Sequence, residues 1–208
     1  MHPNPVFHDA DAARNMGFAR DRGFGTLAIN AEDGPLMSHI PFLLNAEGTV
    51  AELHLVRSNP IVRALKRPVA ARIAIQGPDS YISPDWYGVA DQVPTWNYVA
   101  VRLTGSLELR PQEELHDLLD RQSAMFENRL APKAPWKTAK MSEGVMDRMM
   151  RMIVPCRMQV TGIDGTWKLG QNKPEDVRKS AAENVTAHGI GAEVDVLAAL
   201  MMGARSTG

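Results

Sequence analysis

The run Leu55-Val56-Arg57-Ser58-Asn59-Pro60-Ile61-Val62-Arg63 holds residue types suited to a phosphate. A strand gives way to a helix start, where Asn59 or Ser58 can cap and Pro60 suits the first turn. The free N–H groups and dipole of a helix start attract an anion. Arg57 and Arg63 flank that start, and a guanidinium can grip a phosphate with two hydrogen bonds. Ser58 adds a hydroxyl donor. Taken alone, the run is more economically read as an ordinary capped helix whose arginines point to water, because it lacks the specificity of a Walker loop.

Three further groups of residues can do chemistry. His39 and His54 fall in strands that pair through a hairpin at Asn45 to Gly48, which places them near one another. Neutral imidazoles can hydrogen-bond a flavin edge or bind a metal. Two histidines without a carboxylate or cysteine make a poor metal site, and a pair of satisfied strand histidines is the simpler reading. The segments Gln76 to Tyr87 and Pro94 to Tyr98 concentrate Tyr81, Trp86, Tyr87, Trp96 and Tyr98 among turn formers. Aromatic faces beside amides suit a flat, partly polar ring, and equally a satellite core or a dimer contact. The run Gly165-Thr166-Trp167-Lys168-Leu169-Gly170-Gln171-Asn172-Lys173-Pro174 gathers the donors Lys168, Gln171 and Asn172. They can reach a phosphate or a carbonyl, but a polar loop before a helix explains the run as simply.

The elements that must position these groups follow from periodicity and turn chemistry. Residues 9–22 read as a helix that Asp9 or Asp11 can cap and Gly23 can end. Strands are expected at Phe24–Asn30, Leu36–Leu44 and Thr49–Val56, with turns at Asp33-Gly34 and Asn45–Gly48. Pro41 lies inside the second strand and predicts a bulge or an edge there, since it removes a ladder donor. Pro60–Lys66 reads as a short helix and Val69–Gln76 as a fourth strand. Gly77–Pro94 reads as a long loop, and long ordered loops are usually functional. A strand at Trp96–Arg110, a helix at Pro111–Glu127, a linker at Arg129–Pro135, a helix at Ser142–Arg151 and a strand at Ile153–Thr161 follow. Helices at 174–188 and 192–203 close the chain. Hairpin-joined antiparallel strands argue against a doubly wound sheet and for a small barrel with added helices.

Composition narrows the classes. The 208 residues are 44% hydrophobic and 23% charged, ordinary for one globular domain. The net charge of -1 offers no surface made for polyanions. Cys156 is the single cysteine, which excludes a disulfide framework and fits a reducing cytoplasm. The sequence shows neither a signal-peptide pattern nor an apolar run long enough to cross a bilayer.

In order along the chain, Phe24-Gly25-Thr26-Leu27, Ser38-His39-Ile40-Pro41-Phe42-Leu43-Leu44, Arg57-Ser58-Asn59-Pro60, the Gln76–Tyr87 loop, Val93-Pro94-Thr95-Trp96-Asn97-Tyr98 and Trp167-Lys168-Leu169-Gly170-Gln171-Asn172 resemble the PaiB family. That family is often labelled FMN-binding negative transcriptional regulators. The resemblance spans roughly residues 7 to 180. It implies an α+β, mainly β fold, the split β-barrel of flavin reductases and pyridoxamine-phosphate oxidases, with peripheral and C-terminal helices. Residues 1–172 would form the FMN-binding barrel and 173–208 a helical extension packed on the same domain. It implies a homodimer holding FMN at its interface. On this pattern Arg57, Ser58, Asn59 and Arg63 meet the phosphate. Ser38, His39, Ile40 and Pro41 line the flavin, Gln76, Trp96 and Asn97 sit near the ring, and Lys168, Gln171 and Asn172 come from the C-terminal part. Two departures stand out: the bulky Leu53-His54-Leu55-Val56 before the arginine, and Gly170 where the family pattern leads one to expect serine.

Three functions compete. A flavoprotein, if an enzyme an FMN-dependent oxidoreductase, needs no acid–base constellation, because the flavin brings its own chemistry. A DNA-binding repressor would need a basic helix. None is evident, and Arg178 and Lys179 are offset by Glu175, Asp176 and Glu183. A haem-binding split barrel would use His39 or His54 as axial ligand, but haem lacks the phosphate that the Arg-Ser-Asn-Pro run suits.

Overall fold

Turn chemistry sets the first half of the chain. Asp11 accepts a hydrogen bond from the Arg14 N–H at 2.6 Å and so caps the first helix. Gly23, at φ +54°, ends it. The computed structural model describes residues 2–8 and 10–206, so Asp9, the other candidate cap, lies outside the described residues. Among the described residues the strands are β1 (Phe24–Ala31), β2 (Gly34–Leu44), β3 (Val50–Val56), β4 (Val69–Ile82), β5 (Thr95–Leu109) and β6 (Ile153–Lys168). The α-helices are α1 (Ala12–Arg22), α2 (Pro60–Ala64), α3 (Leu115–Glu127), α4 (Val145–Met150), α5 (Glu175–His188) and α6 (Val194–Gly203).

The strands close into a barrel in the order β1-β2-β3-β6-β5-β4. Alternation explains why: Leu27 and Ile29, Ile40 and Phe42, Leu53 and Leu55, Ile73 and Ile75, Val99 and Val101, and Cys156 and Met158 are all buried. Such period-2 burial is what a strand with one face on a core requires. At the β2–β3 hairpin the Asn45 carboxamide accepts the Thr49 and Val50 N–H groups at 2.8 and 2.9 Å.

Two strands run further than their sequence predicts. β4 continues through Gly77 and Pro78, both buried, to Ile82, so the long loop begins later than expected. Its end is held by the 190–192 segment, whose carbonyls at Ala192 and Ile190 accept the Asp79 and Tyr81 N–H groups at 3.0 and 2.9 Å. β6 likewise passes through Gly162 and Gly165 to Lys168, so the Trp-Lys run starts as a strand. Turn-forming residues mark turns only when no neighbouring backbone offers a ladder. α4, α5 and α6 begin three, one and two residues later than the pattern suggests.

The chain divides into two compact units. One comprises Met1–Asn15, Ile75–Arg102 and Asp164–Gly208, and the other Met16–Ala74 and Leu103–Ile163.

Candidate functional site

In the second unit, the sheet opens where the sequence places Pro41. The β2–β3 ladder pairs Phe42 to Leu44 with Leu53 to Ala51 and takes in none of residues 38–41. The missing proline donor explains the stop, and this is the edge that the proline predicts. On its other side β2 remains fully paired with β1, from Pro41 opposite Phe24 to Gly34 opposite Ala31. A side-chain bridge ties β2 to the β3–α2 turn: the Asn59 Nδ2 donates to the Ser38 Oγ at 3.2 Å. Asn59 also caps α2, its Oδ1 accepting the Ile61 N–H at 2.9 Å.

This turn gathers four of the residues expected at a phosphate. Arg57 is held rigidly, with Nε on the Arg151 carbonyl at 2.9 Å and Nη2 on the Gln112 Oε1 at 2.8 Å and the Ile153 carbonyl at 3.2 Å. Its Nη1 is left to point elsewhere. Arg63 reaches back to the Ser58 carbonyl at 3.1 Å, and Ser58 itself is exposed. Arg57, Arg63, Lys66 and Arg67 have no carboxylate partner among the described residues, whereas Arg102, Arg110, Arg121 and Arg157 are all paired. α2 has five residues, so its dipole is small and side chains must supply the anion affinity.

His39 is exposed and stacks on Phe24, ring centroids 6.5 Å apart and 22° from parallel. Phe24 is 53% exposed and Met37, on the same face of β2, is exposed as well. Ile40 is 2% exposed, pointing inward, so only its backbone can line a ligand. The Gln122 amide of α3 approaches His54. Burial pushes the His54 imidazole below its ordinary range, and Gln122 offsets this only partly. The His54 Nδ1 and the Gln122 Nε2 are both closed to solvent, and among the described residues neither finds another partner. Ion pairs clamp α3 in place. Glu52 binds Arg121 at 2.7 Å and Arg157 at 3.1 Å, and Arg157 binds Glu114 at 3.3 Å. Burial raises the Glu52 carboxyl, but the two arginines outweigh it and hold it below its usual range.

The first unit holds the remaining expected residues. Trp96, half exposed, meets Tyr81 edge-on at 6.4 Å, and Tyr81 meets Trp86 in the same way. Gln76 donates to Asp79 at 2.8 Å. Lys168 donates to the Thr95 hydroxyl at 2.5 Å, and burial lowers its pKa. Asn97 is 1% exposed and donates to the Met201 sulfur at 3.6 Å. Gln171 is buried and holds the chain together, donating to the carbonyls of Trp167 and Val6 and accepting the Leu169 N–H. Asn172 is exposed. Gly170 adopts φ +79°, which explains glycine where serine was expected.

Gln112 and Gln122 are additions that the sequence reading did not single out. Gln122 carried a usable signal, since it occupies the core-facing stripe of α3 begun by Leu115 and Leu118, where a polar residue is out of place. Gln112 carried none, because its role depends on where β6 returns.

The family described as "Putative FMN-binding domain" matches residues 1–162. Over 177 residues the chain is 28% identical to protease synthase and sporulation protein PAI 2 of Bacillus subtilis (strain 168), covering 84% of each. Its fold is similar to that of the FAD and heme binding protein from Mycobacterium smegmatis, with TM-score 0.55 and 15% identity over 87% of this chain and 80% of that one. It is also similar to conserved hypothetical protein Rv2991 from Mycobacterium tuberculosis, with TM-score 0.56 and 16% identity over 83% and 94%. The barrel is thus the split barrel that the motifs implied, and the chain belongs to the PaiB-type FMN-binding domain family.

Proposed function

We propose that this protein binds FMN, with its phosphate at the β3–α2 turn, and works as a homodimeric flavin-dependent oxidoreductase. The observation that carries this reading is the opening at Pro41, bridged by Asn59 and Ser38 and flanked by a locked Arg57. The donor set fits the group. Ser38, Ser58, Asn59, Arg57 and Arg63 include no carboxylate, and their cations are unneutralised among the described residues. The exposed Phe24–His39 stack and Met37 offer an apolar surface of the kind a flavin ring or a second subunit covers. FMN, when bound, supplies the redox chemistry. The chain's part is to bind the phosphate, orient the ring and exclude water. Cys156 takes no part in such chemistry, because burial pushes its thiol up to about 12.

The regulator reading gains nothing from α5. Arg178 is 1% exposed and donates to the Met201 carbonyl at 2.9 Å, so it is not available to a phosphate backbone. No helix among the described residues is long and apolar enough to cross a membrane. The single cysteine fits a reducing compartment, and the cytoplasm is the proposed location.

The test is an absorption spectrum after FMN is added and excess is removed, with the eluted mass read in the same run. Retained flavin bands at one per chain and a mass of two chains support the proposal. A colourless protein overturns the cofactor, a Soret band after haem addition moves it to haem, and a single-chain mass overturns the dimer.

A further inference from the structure

We propose that the cleft between α1, the end of β6 and the C-terminal end of α6 binds a small organic anion, a carboxylate carried on a single flat ring. The cleft measures about 300 Å³, and its wall includes Arg14, Trp167, Leu169, Leu200 and Arg205. That volume lies at the small end of ligand pockets and suits one ring rather than two. Two guanidinium groups mark the polar side, and no acidic residue lines it. Arg14 is held in place for a ligand. Its guanidinium carbon lies 3.8 Å from the Trp167 ring centroid, and the indole is 5% exposed and anchored through its Nε1 on the Asn15 Oδ1 at 2.8 Å. A guanidinium set over a ring face keeps its N–H edge for an oxyanion. Neither Arg14 nor Arg205 has a carboxylate partner among the described residues. Asp11, one turn ahead of Arg14, accepts the Arg14 backbone N–H instead.

A third cation lies beside the wall. Arg178 of α5 is 1% exposed, and a β-carbon on Gly170, between the cleft residues Leu169 and Gln171, would lie 3.3 Å from its Cγ. Its Nε donates to the Met201 carbonyl at 2.9 Å and its Nη1 to the Ser206 hydroxyl, on either side of the cleft residues Gly203 to Arg205. Both partners are neutral. Glu175, one turn earlier on α5, is taken by Lys179 at 2.6 Å. A buried charge without a counter-ion is costly, and water screens its field poorly. An anion in the cleft relieves that cost, with Arg14 and Arg205 as its direct partners. Leu169, Leu200 and Ala199 supply the apolar surface that a ring needs. The site is distinct from the flavin assignment. Trp167 precedes Lys168 in β6, so their side chains leave opposite faces of the strand. No residue of the β3–α2 turn enters the cleft, so the two proposals stand or fall separately.

The experiment is a titration of the full-length, isotope-labelled protein with benzoate, read by NMR at the Trp167 indole N–H. Saturable shifts are expected, in the weak range usual for so small a ligand. Benzamide keeps the ring without the charge, and inorganic phosphate keeps charge without the ring, so each should bind more weakly than benzoate. Arg14→Gln and Arg205→Gln should each weaken benzoate by about tenfold or more. Both positions are exposed, so the fold should survive either change. Ala199→Phe, at an exposed position on the wall, fills the cleft and should abolish binding. Prior saturation with FMN should leave benzoate binding unchanged, and a protein that takes up benzoate but no FMN would support this proposal while overturning the flavin reading. Shifts that never saturate, benzamide or phosphate binding as tightly as benzoate, indifference to either arginine variant or to Ala199→Phe, or displacement by FMN would each overturn it.

Discussion

Arg57→Ala separates anchoring from anion binding. The guanidinium makes hydrogen bonds to the Arg151 carbonyl, the Gln112 amide oxygen and the Ile153 carbonyl. These partners are not stranded by its loss, because the region is exposed and Gln112 keeps its own bonds to the Met150 and Ile153 carbonyls at 3.0 and 3.3 Å. The stability loss should therefore be about 1 kcal/mol, which lowers Tm by about 2–4 °C for a chain of this length. The effect on FMN is larger. Removing one charged hydrogen bond to a phosphate costs roughly 1.5–3 kcal/mol, or about tenfold to over a hundredfold in affinity. Riboflavin has the same ring and no phosphate, so its affinity should not change. Quenching of flavin fluorescence, titrated with FMN and with riboflavin for wild type and variant, reads both numbers. Unchanged FMN affinity, or equal losses for the two flavins, would refute the phosphate assignment. Arg63→Ala tests the neighbouring cation. Among the described residues its one hydrogen bond is to the Ser58 carbonyl, so stability should hold while FMN weakens.

Other perturbations test other parts of the structure. His54 is half-buried and burial lowers its pKa, so the unfolded chain binds more protons than the folded one as pH falls from its ordinary pKa of 6.5 toward the folded value. Stability from this group is present above that pKa and falls as pH drops toward the folded value. A urea-midpoint series from pH 7.5 to 5 should show a shallower decline for His54→Gln than for wild type, and parallel curves would contradict the assignment. Cys156, its thiol raised to about 12, should resist a disulfide-exchange reagent in the native protein and react once urea unfolds it. A β-carbon on Gly105 would lie 2.0 Å from the Gln159 carbonyl oxygen, a backbone atom that cannot give way. Gly105→Ala should therefore cost about 3 kcal/mol or more and show as a large fall in Tm or in soluble yield.

The hairpin at Asn45–Gly48, the helix start at Asn59-Pro60 and the stop at Pro41 were legible in the sequence because each depends on its own residues. The ends of β4 and β6 were not. Gly77, Pro78 and Gly165 look like turn formers until the strand beside them is known. Of the site, the arginine run was legible as a capped helix start and Ser38 through the resemblance, but the Ser38–Asn59 bridge and the bonding of Arg57 were not. That Arg57 is locked by Gln112 and two carbonyls depends on partners 55 to 96 positions away in sequence. Asn97 and Gln171 read as available polar groups and are instead buried fasteners, as is Arg178. Burial is decided by what packs above a residue, which local pattern does not report.

The bonds from Asp79 and Tyr81 to the carbonyls of Ala192 and Ile190 also bear on how the chain is made. Synthesis runs from the N-terminus, so the strand end at residues 79–82 emerges more than a hundred residues before the segment that covers it. Throughout that interval the growing chain carries an open strand edge, the kind of template on which other chains aggregate. Shortening the protein from its C-terminal side to a point before residue 190 would make that exposure permanent. Such fragments are expected to need a chaperone, or to precipitate, even where every residue of the β3–α2 turn is intact.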